Sequence, residues 1–101
     1  MNYSIRFRPE VEGDALSAYH WYEDKSAGLG EEFLRLFYAN AYELVRNPLI
    51  YRKIYKNFRR RLLRRFPYAL YFLIENHTII VFGLFHTARD LKRIEKILND
   101  R

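Results

Sequence analysis

The sequence contains no cysteine. A disulfide framework, a thiolate nucleophile and a zinc site with cysteine ligands are therefore excluded, and a cytoplasmic location is indicated. The three histidines, His20, His77 and His86, are not spaced like metal ligands. We therefore expect neither a metal nor another cofactor.

Long hydrophobic runs are also lacking. The longest apolar stretches, residues 68–74 and 78–87, have the length of strands, whereas a membrane helix needs about 20 apolar residues. Residues 1–10 are polar and charged, unlike a signal peptide. We expect a cytoplasmic protein with no membrane contact.

The residues that are present favour one folded, basic domain. A length of 101 residues suits a single domain over residues 1–101, and half of these residues are hydrophobic, which favours a packed core. The chain has 18 Lys+Arg against 12 Asp+Glu, a net charge of +6. This charge favours binding to a polyanion, which includes nucleic acid, an acidic protein and a membrane surface.

Hydrophobic periodicity predicts an amino-terminal strand followed by two helices. Residues 2–8 alternate between apolar and polar, as in a half-buried strand. Apolar residues spaced by four, three and four positions from Val11 to Tyr22 predict a helix over residues 11–25. A second helix follows Gly30 and ends near Asn47, because the residue before a proline disfavours the helical conformation.

The second half of the sequence is dominated by strand patterns. Asn76-His77 is predicted to be a turn and Gly83 a bulge or kink. The predicted strands cover residues 50–55, 58–65, 67–75 and 78–87, and a final helix covers residues 88–98. We summarise the order as β-α-α-β-β-β-α, an α+β fold with an antiparallel meander and the helices on one face. The first strand is expected at an edge of the sheet or beside the last strand.

Five arginines crowd one predicted strand. Period two places Arg60, Leu62 and Arg64 on one face. The opposite face receives Arg59, Arg61, Leu63 and Arg65. Arginine suits both phosphate and carboxylate groups, so contact with nucleic acid and docking of an acidic partner both stay open. Basic residues on an edge strand also prevent aggregation.

Other candidate site residues have a structural alternative. Arg89, Arg93 and Lys96 share one face of the last helix, either for target contact or as a solvated surface. His86 is a candidate general acid or base, or else a strand-end histidine bonded to backbone or to Asp90. Aromatic residues that either bind a partner or a base or pack in the protein are Tyr19, Trp21, Tyr22, Phe66, Tyr68, Tyr71 and Phe72.

Six short motifs, in this order, resemble the RelE/ParE superfamily of toxins over nearly the whole chain. They are Asp14-Ala15-Leu16 leading to Tyr22, Gly28-Leu29-Gly30 followed by Phe33, Asn47-Pro48, Phe58-Arg59-Arg60-Arg61, Phe66-Pro67-Tyr68-Ala69-Leu70-Tyr71, and Phe85-His86-Thr87-Ala88-Arg89-Asp90.

This resemblance implies a plasmid-stabilisation type of toxin in a type II toxin–antitoxin module, neutralised by a cognate antitoxin that the charge predicts to be acidic. RelE-like members cut mRNA in the ribosome, and ParE-like members inhibit DNA gyrase. The resemblance also leaves open that the toxin–antitoxin complex binds operator DNA through the antitoxin.

The resemblance favours the ParE-like mechanism for this chain. Tyr68 occupies the position at which RelE-like toxins carry an arginine that clamps phosphate, so we assign no catalytic residue to a ParE-like mechanism. A ribosome-dependent mRNA endonuclease using His86 with Arg59 or Arg61 is the alternative, and a non-toxic protein that only binds an antitoxin is a third. The expected target-binding residues are Arg59, Arg61, Arg64, Arg65, His86, Arg89 and Arg93, and the expected antitoxin-binding residues are Tyr19, Trp21 and Tyr22.

Overall fold

A computed structural model describes residues 3–101, so Asn2 of the predicted first strand lies outside the described residues. Its elements are β1 (Ser4–Phe7), α1 (Pro9–Lys25), α2 (Leu29–Glu43), a short 3-10 helix (Pro48–Ile50), β2 (Lys53–Tyr55), β3 (Phe58–Leu62), β4 (Tyr68–Glu75), β5 (Thr78–His86) and α3 (Leu91–Asp100).

The five strands form one sheet in the order β1-β5-β4-β3-β2. Strands β2 to β5 are a continuous antiparallel meander, and β1 pairs with β5 in parallel. A parallel neighbour needs a long crossover, which the α1–α2 hairpin begins. The predicted α+β class and the place of β1, at an edge and beside the last strand, are confirmed. The structure has four strands after the hairpin, one more than the summarised order. The segment predicted as a strand over residues 50–55 forms β2 only from Lys53, because a 3-10 helix includes Ile50.

The two faces of the sheet carry different helices. The α1–α2 hairpin packs on one face, where Phe33 and Phe37 of α2 meet Leu70 and Phe72 of β4 in the larger core cluster. On the other face α3 covers a smaller cluster that includes Tyr71 and Phe85. The prediction that all helices cover one face is therefore wrong, because the α3 stripe packs on side chains that point to the other side of the pleat.

Three predicted boundaries extend too far. Helix α2 ends at Glu43 and turns occupy the residues before Asn47. Strand β3 ends at Leu62, since the chain bends over residues 63–67 and Arg65 takes a φ of 71°. Helix α3 begins at Leu91 rather than residue 88, because the Asp90 carboxylate accepts a hydrogen bond from the Lys92 backbone N–H and caps the helix.

Strand β5 has a bulge beside Gly83, where the sequence predicted a bulge or kink. Tyr71 pairs with Gly83 but Phe72 pairs with Val81, so Phe82 is the extra residue. A Cβ at Gly83 would collide with the Phe85 ring. A side chain at this position would have to displace the Phe85 ring.

The helical hairpin closes at a point where the two helices almost touch. The Glu23 carboxylate accepts the backbone N–H groups of Gly28 and Gly30 at 2.8 and 2.9 Å, and so satisfies the start of α2. A Cβ at Gly30 would lie 2.5 Å from the Tyr19 carbonyl oxygen. Only glycine fits at this crossing.

We predict that Gly30→Ala lowers the free energy of unfolding by about 1–3 kcal/mol, since the added methyl group must push the helices apart. Gly13→Ala is the matched control, because Gly13 lies inside α1 with nothing within 4 Å of the new Cβ. Alanine at that position should stabilise the protein by about 0.5–1 kcal/mol. Thermal or urea denaturation measures both, and equal effects of the two variants would contradict the tight crossing.

Candidate functional site

One end of the sheet gathers several of the predicted target-binding residues. The turn between β3 and β4 lies beside the turn between β5 and α3, since the Thr87 N–H donates to the Pro67 carbonyl at 2.8 Å. The first turn carries Arg64 and Arg65, and Arg65 pairs with Glu32 of α2. His86 ends β5 and Arg89 lies in the turn that follows, and both are exposed. Three arginines therefore gather at this end of the molecule, one of them paired with a glutamate.

A cavity of about 220 Å³ opens at this end between α1 and the end of β5. It brings Trp21, His86 and Arg89 together. Its other lining residues are Asp14, Ser17, Ala18, Tyr68, Leu84 and Phe85. Two surfaces that the sequence separates, the first helix and the end of the last strand, thus form one site.

His86 is held at the mouth of this cavity. Its Nδ1 accepts the Ala88 backbone N–H at 3.0 Å, and its ring meets the Tyr68 ring edge-on with centroids 5.2 Å apart. Because Nδ1 acts as an acceptor, the neutral ring carries its proton on Nε2. The predicted backbone bond of a strand-end histidine is present, and Nε2 stays available to a ligand.

Tyr68 forms a wall of the same cavity. Burial raises the pKa of Tyr68 above the ordinary value of 10.0, although the nearby positive charge of Arg89 opposes the shift. Its hydroxyl is therefore protonated at neutral pH and serves as a hydrogen-bonding group, and it cannot replace the cationic arginine that a phosphate clamp requires.

An ion pair closes one end of the cavity. Arg101 donates hydrogen bonds to both Asp14 carboxylate oxygens, with Nη1–Oδ2 and Nη2–Oδ1 distances of 2.7 and 2.9 Å. The same pair binds two backbone groups of β5. Arg101 donates to the carbonyl of Phe82, the bulged residue, and Asp14 accepts a hydrogen bond from the Leu84 N–H. The hydrogen bond to Asp14 raises the pKa of Arg101.

Arg59 and Arg61 lie away from this end, on the hairpin face of β3, and are engaged inside the protein. Arg59 donates to the carbonyl oxygens of Tyr51 and Leu49. The Arg61 side chain is 7% exposed and contacts Glu43 at 2.6 Å. Period two had placed both arginines on one face together with Leu63, and the structure agrees. Neither guanidinium reaches the cavity at His86.

The predicted nuclease residues are therefore not assembled. His86 is in β5 and Arg61 is in β3, with β4 between them. Two strand spacings separate them by roughly 9–10 Å across the sheet alone. The Arg61 guanidinium contacts Glu43 and does not line the cavity beside His86.

A second, more open groove runs along α3. It has a volume of about 480 Å³ and is lined by Arg89, Arg93, Lys96, Ile97 and Asp100. Arg89 borders this groove as well as the cavity beside His86. The basic face predicted for the last helix is thus continuous with the cavity.

The three predicted antitoxin-binding aromatics have different environments. Trp21 is 57% exposed, with the Lys25 ammonium 4.1 Å from its ring centroid. Tyr22 stacks on Phe33 inside the hairpin face, and burial raises its pKa. Tyr19 is half-buried at the helix crossing beside Gly30. Only Trp21 presents most of its ring to a partner.

Sequence analysis missed the Asp14–Arg101 pair and two surface patches. Asp14 appeared only in the Asp14-Ala15-Leu16 motif, and no local signal connects it with Arg101. Exposed apolar side chains form two further patches, which are Tyr38 and Tyr42 beside Phe7, and Leu49, Ile50 and Leu62 at the β2 side of the sheet. The period-two pattern of β3 could have predicted that Leu62 is exposed, but it gives no information about Leu49 and Ile50.

Within residues 3–101, no helix is long and apolar enough to cross a membrane. The same residues contain no group of three His, Cys, Asp or Glu side chains placed to hold a metal ion.

One family model matches this chain, and two solved structures share its fold. The family model of the ParE toxin of type II toxin–antitoxin system, parDE, matches residues 5–91. A chain from the chromosomal ParDE toxin–antitoxin system of P. aeruginosa superposes with a TM-score of 0.72 at 14% identity, over 83% of this chain and 95% of that one. A chain of the RelBE2 toxin–antitoxin complex of Mycobacterium tuberculosis has a TM-score of 0.63 at 19% identity, over 85% and 99%. A search of curated proteins gave no match.

We predict that Asp14→Asn lowers the free energy of unfolding by about 2–3 kcal/mol, because it leaves the Arg101 guanidinium without its countercharge. This value is below the range for fully buried pairs, since both side chains are 15% exposed. Glu12→Gln, at an exposed position of the same helix, should change the free energy by less than about 0.5 kcal/mol. A double-mutant cycle with Arg101→Gln measures the coupling by urea denaturation, and additive effects would contradict the pair.

We predict that Glu43→Gln weakens the loss of stability in acid. The hydrogen bond from Arg61, followed by its charge, lowers the pKa of Glu43 in the folded protein. The pair therefore stabilises the fold at neutral pH, and this contribution disappears as the pH falls below about 4.3, the ordinary glutamate value, and through the lower folded value. Glu31→Gln, exposed at the start of α2, is the control. Denaturation midpoints from pH 7 to pH 2 should converge for wild type and Glu43→Gln only at the acidic end.

Proposed function

This chain belongs to the ParE toxin family of type II toxin–antitoxin systems, and from that premise we propose that it arrests growth by binding DNA gyrase rather than by cutting RNA. The structurally similar chains come from toxin–antitoxin systems, which supports a cognate antitoxin as a partner. We further propose that this antitoxin is acidic, because the chain carries a net charge of +6.

The internal use of Arg59 and Arg61 carries this proposal. Cleavage at a 2′-hydroxyl requires a group that moves protons and a cation that stabilises charge on the phosphate. Arg61 is committed to Glu43 and Arg59 to two backbone carbonyls. Recruiting either arginine to RNA would first break these contacts.

The remaining predicted residues suit binding. Arg89, in the turn before α3, and Arg93 of α3 are exposed, and neither forms an ion pair among the described residues. Arg64 and His86 are exposed at the same end of the sheet. A cationic surface of this kind steers association with an acidic protein surface and speeds the encounter.

A ribosome-dependent nuclease is the second candidate, and one observation favours it. His86 and Arg89 line the same cavity, so a proton-transfer group and a cation do lie together there. In such an enzyme Arg89, rather than the expected Arg59 or Arg61, would contact the phosphate.

We predict that induced expression without the antitoxin stops DNA synthesis before protein synthesis, as gyrase inhibition requires. Pulse labelling of the two processes measures the order, and purified gyrase tests supercoiling directly. An earlier stop of protein synthesis would favour the nuclease, and continued growth would favour a non-toxic protein that only binds its antitoxin.

We predict that the double variant Arg89→Ala/Arg93→Ala raises the toxin concentration needed to inhibit supercoiling by about tenfold or more, because it removes two charges from the proposed contact surface. Arg35→Ala/Arg52→Ala is the control, since these exposed arginines lie on α2 and before β2 and removing them changes the net charge equally. Equal loss of inhibition in the two double variants would mean that net charge alone matters.

A further inference from the structure

The edge of β5 beyond β1 has two backbone groups without partners among the described residues. Strand β1 stops pairing at Phe7, opposite Val81. From there the Leu84 and His86 backbones point away from β4, because the Thr87 N–H bonds to Pro67 on the β4 side and the direction alternates along the strand. The Asp14 carboxylate accepts a hydrogen bond from the Leu84 N–H, and the Arg89 N–H donates one to the His86 carbonyl. The Leu84 carbonyl and the His86 N–H are left facing the cavity.

This pair of groups selects one geometry for an incoming chain. An antiparallel residue needs the N–H and the carbonyl of a single residue, and at both Leu84 and His86 one of the two is already used. A parallel residue donates to the carbonyl of one residue and accepts from the N–H two positions later. A segment that runs in the direction of β1, with one of its residues opposite Phe85, would form hydrogen bonds to both groups.

The surroundings indicate the side chains of such a segment. A residue paired in parallel with Phe85 points to the same face as Phe85, where the Arg89 guanidinium lies 5.5 Å from the Phe85 ring centroid. An acidic side chain at this position would meet Arg89. The next residue would face His86 and Trp21 on the hairpin side of the cavity. The Asp14–Arg101 pair occupies the edge of β5 before Leu84, so only a short segment can add to the strand.

We propose that this edge, Leu84 to His86 with Arg89, binds a short extended acidic segment of the target protein as a parallel addition to β5. The inference rests on the proposed function, since it describes how gyrase would be held at the cavity. Backbone hydrogen bonds supply the attachment, and Arg89 selects the carboxylate.

The size of the cavity favours a target loop over the antitoxin. A stable neutralising complex buries about 1,200–2,000 Å², and a cavity of about 220 Å³ holds little more than one or two residues. The exposed apolar patches at Tyr38 and Tyr42, and at Leu49, Ile50 and Leu62, offer the broader surface that the antitoxin requires. A second copy of this chain is disfavoured, because each copy carries a charge of +6.

A plug variant tests the edge without touching its backbone. Ser17 is exposed on α1 and lines the cavity, so the ring of Ser17→Tyr should occupy the space of the incoming segment. The matched control is Leu16→Tyr, one residue earlier, 43% exposed and outside the cavity lining. We expect Ser17→Tyr to raise the toxin concentration that half-inhibits gyrase supercoiling by at least about tenfold, and Leu16→Tyr to leave it unchanged at equal Tm.

Charge and amide protection supply a second arm. Arg89→Glu should weaken inhibition by more than Lys92→Glu, an equal charge change at an exposed residue of α3 that lines neither the cavity nor the α3 groove. The His86 amide should exchange quickly in the toxin alone, and hydrogen–deuterium exchange should show its protection in the toxin bound to gyrase.

The outcomes separate the two proposals. If wild-type toxin does not inhibit gyrase, the proposed function fails and this mode of binding to gyrase fails with it. If wild type inhibits while Ser17→Tyr inhibits equally and the His86 amide stays unprotected, the edge is not the contact and only this inference is overturned. Loss of antitoxin affinity in Ser17→Tyr with unchanged inhibition would assign the edge to the antitoxin and would also overturn it.

Discussion

The ion pair between Asp14 and Arg101 ties together the parts of the molecule on which the site depends. The bulge at Phe82 and the end of β1 leave the Phe82 carbonyl and the Leu84 N–H of β5 without a strand partner. Asp14 and Arg101 bind those groups and each other. Helix α1 is thereby fixed beside β5, and the cavity lined by Trp21 and His86 lies directly beyond the pair.

The arginines divide into two groups with different physical roles. Arg59, Arg61 and Arg101 donate hydrogen bonds to carbonyls and carboxylates of the protein itself. The exposed arginines at the end of the sheet and on α3, such as Arg89, are available to a partner. A high arginine content therefore serves stability and recognition separately, and counting charges in the sequence does not distinguish the two uses.

The α+β class, the helical hairpin, the bulge near Gly83 and the faces of β3 could all be predicted, because each follows from local periodicity or from glycine chemistry. The predicted site residues were a mixture. Trp21, His86 and Arg89 do share a cavity, whereas Arg61 and Tyr22 are engaged in the interior. A period-two pattern sorts side chains between two faces, but it does not say whether a helix already covers one of them.

The sequence by itself determined the elements, the basic character and the family resemblance, since these depend on residue types and on spacings of a few positions. The tertiary structure alone decided which distant residues meet. The contact between Asp14 and Arg101 spans 87 positions, and the Arg61–Glu43 pair joins a strand to the end of a helix. Such pairings arise from how the hairpin lies on the twisted sheet, a property that no local pattern encodes.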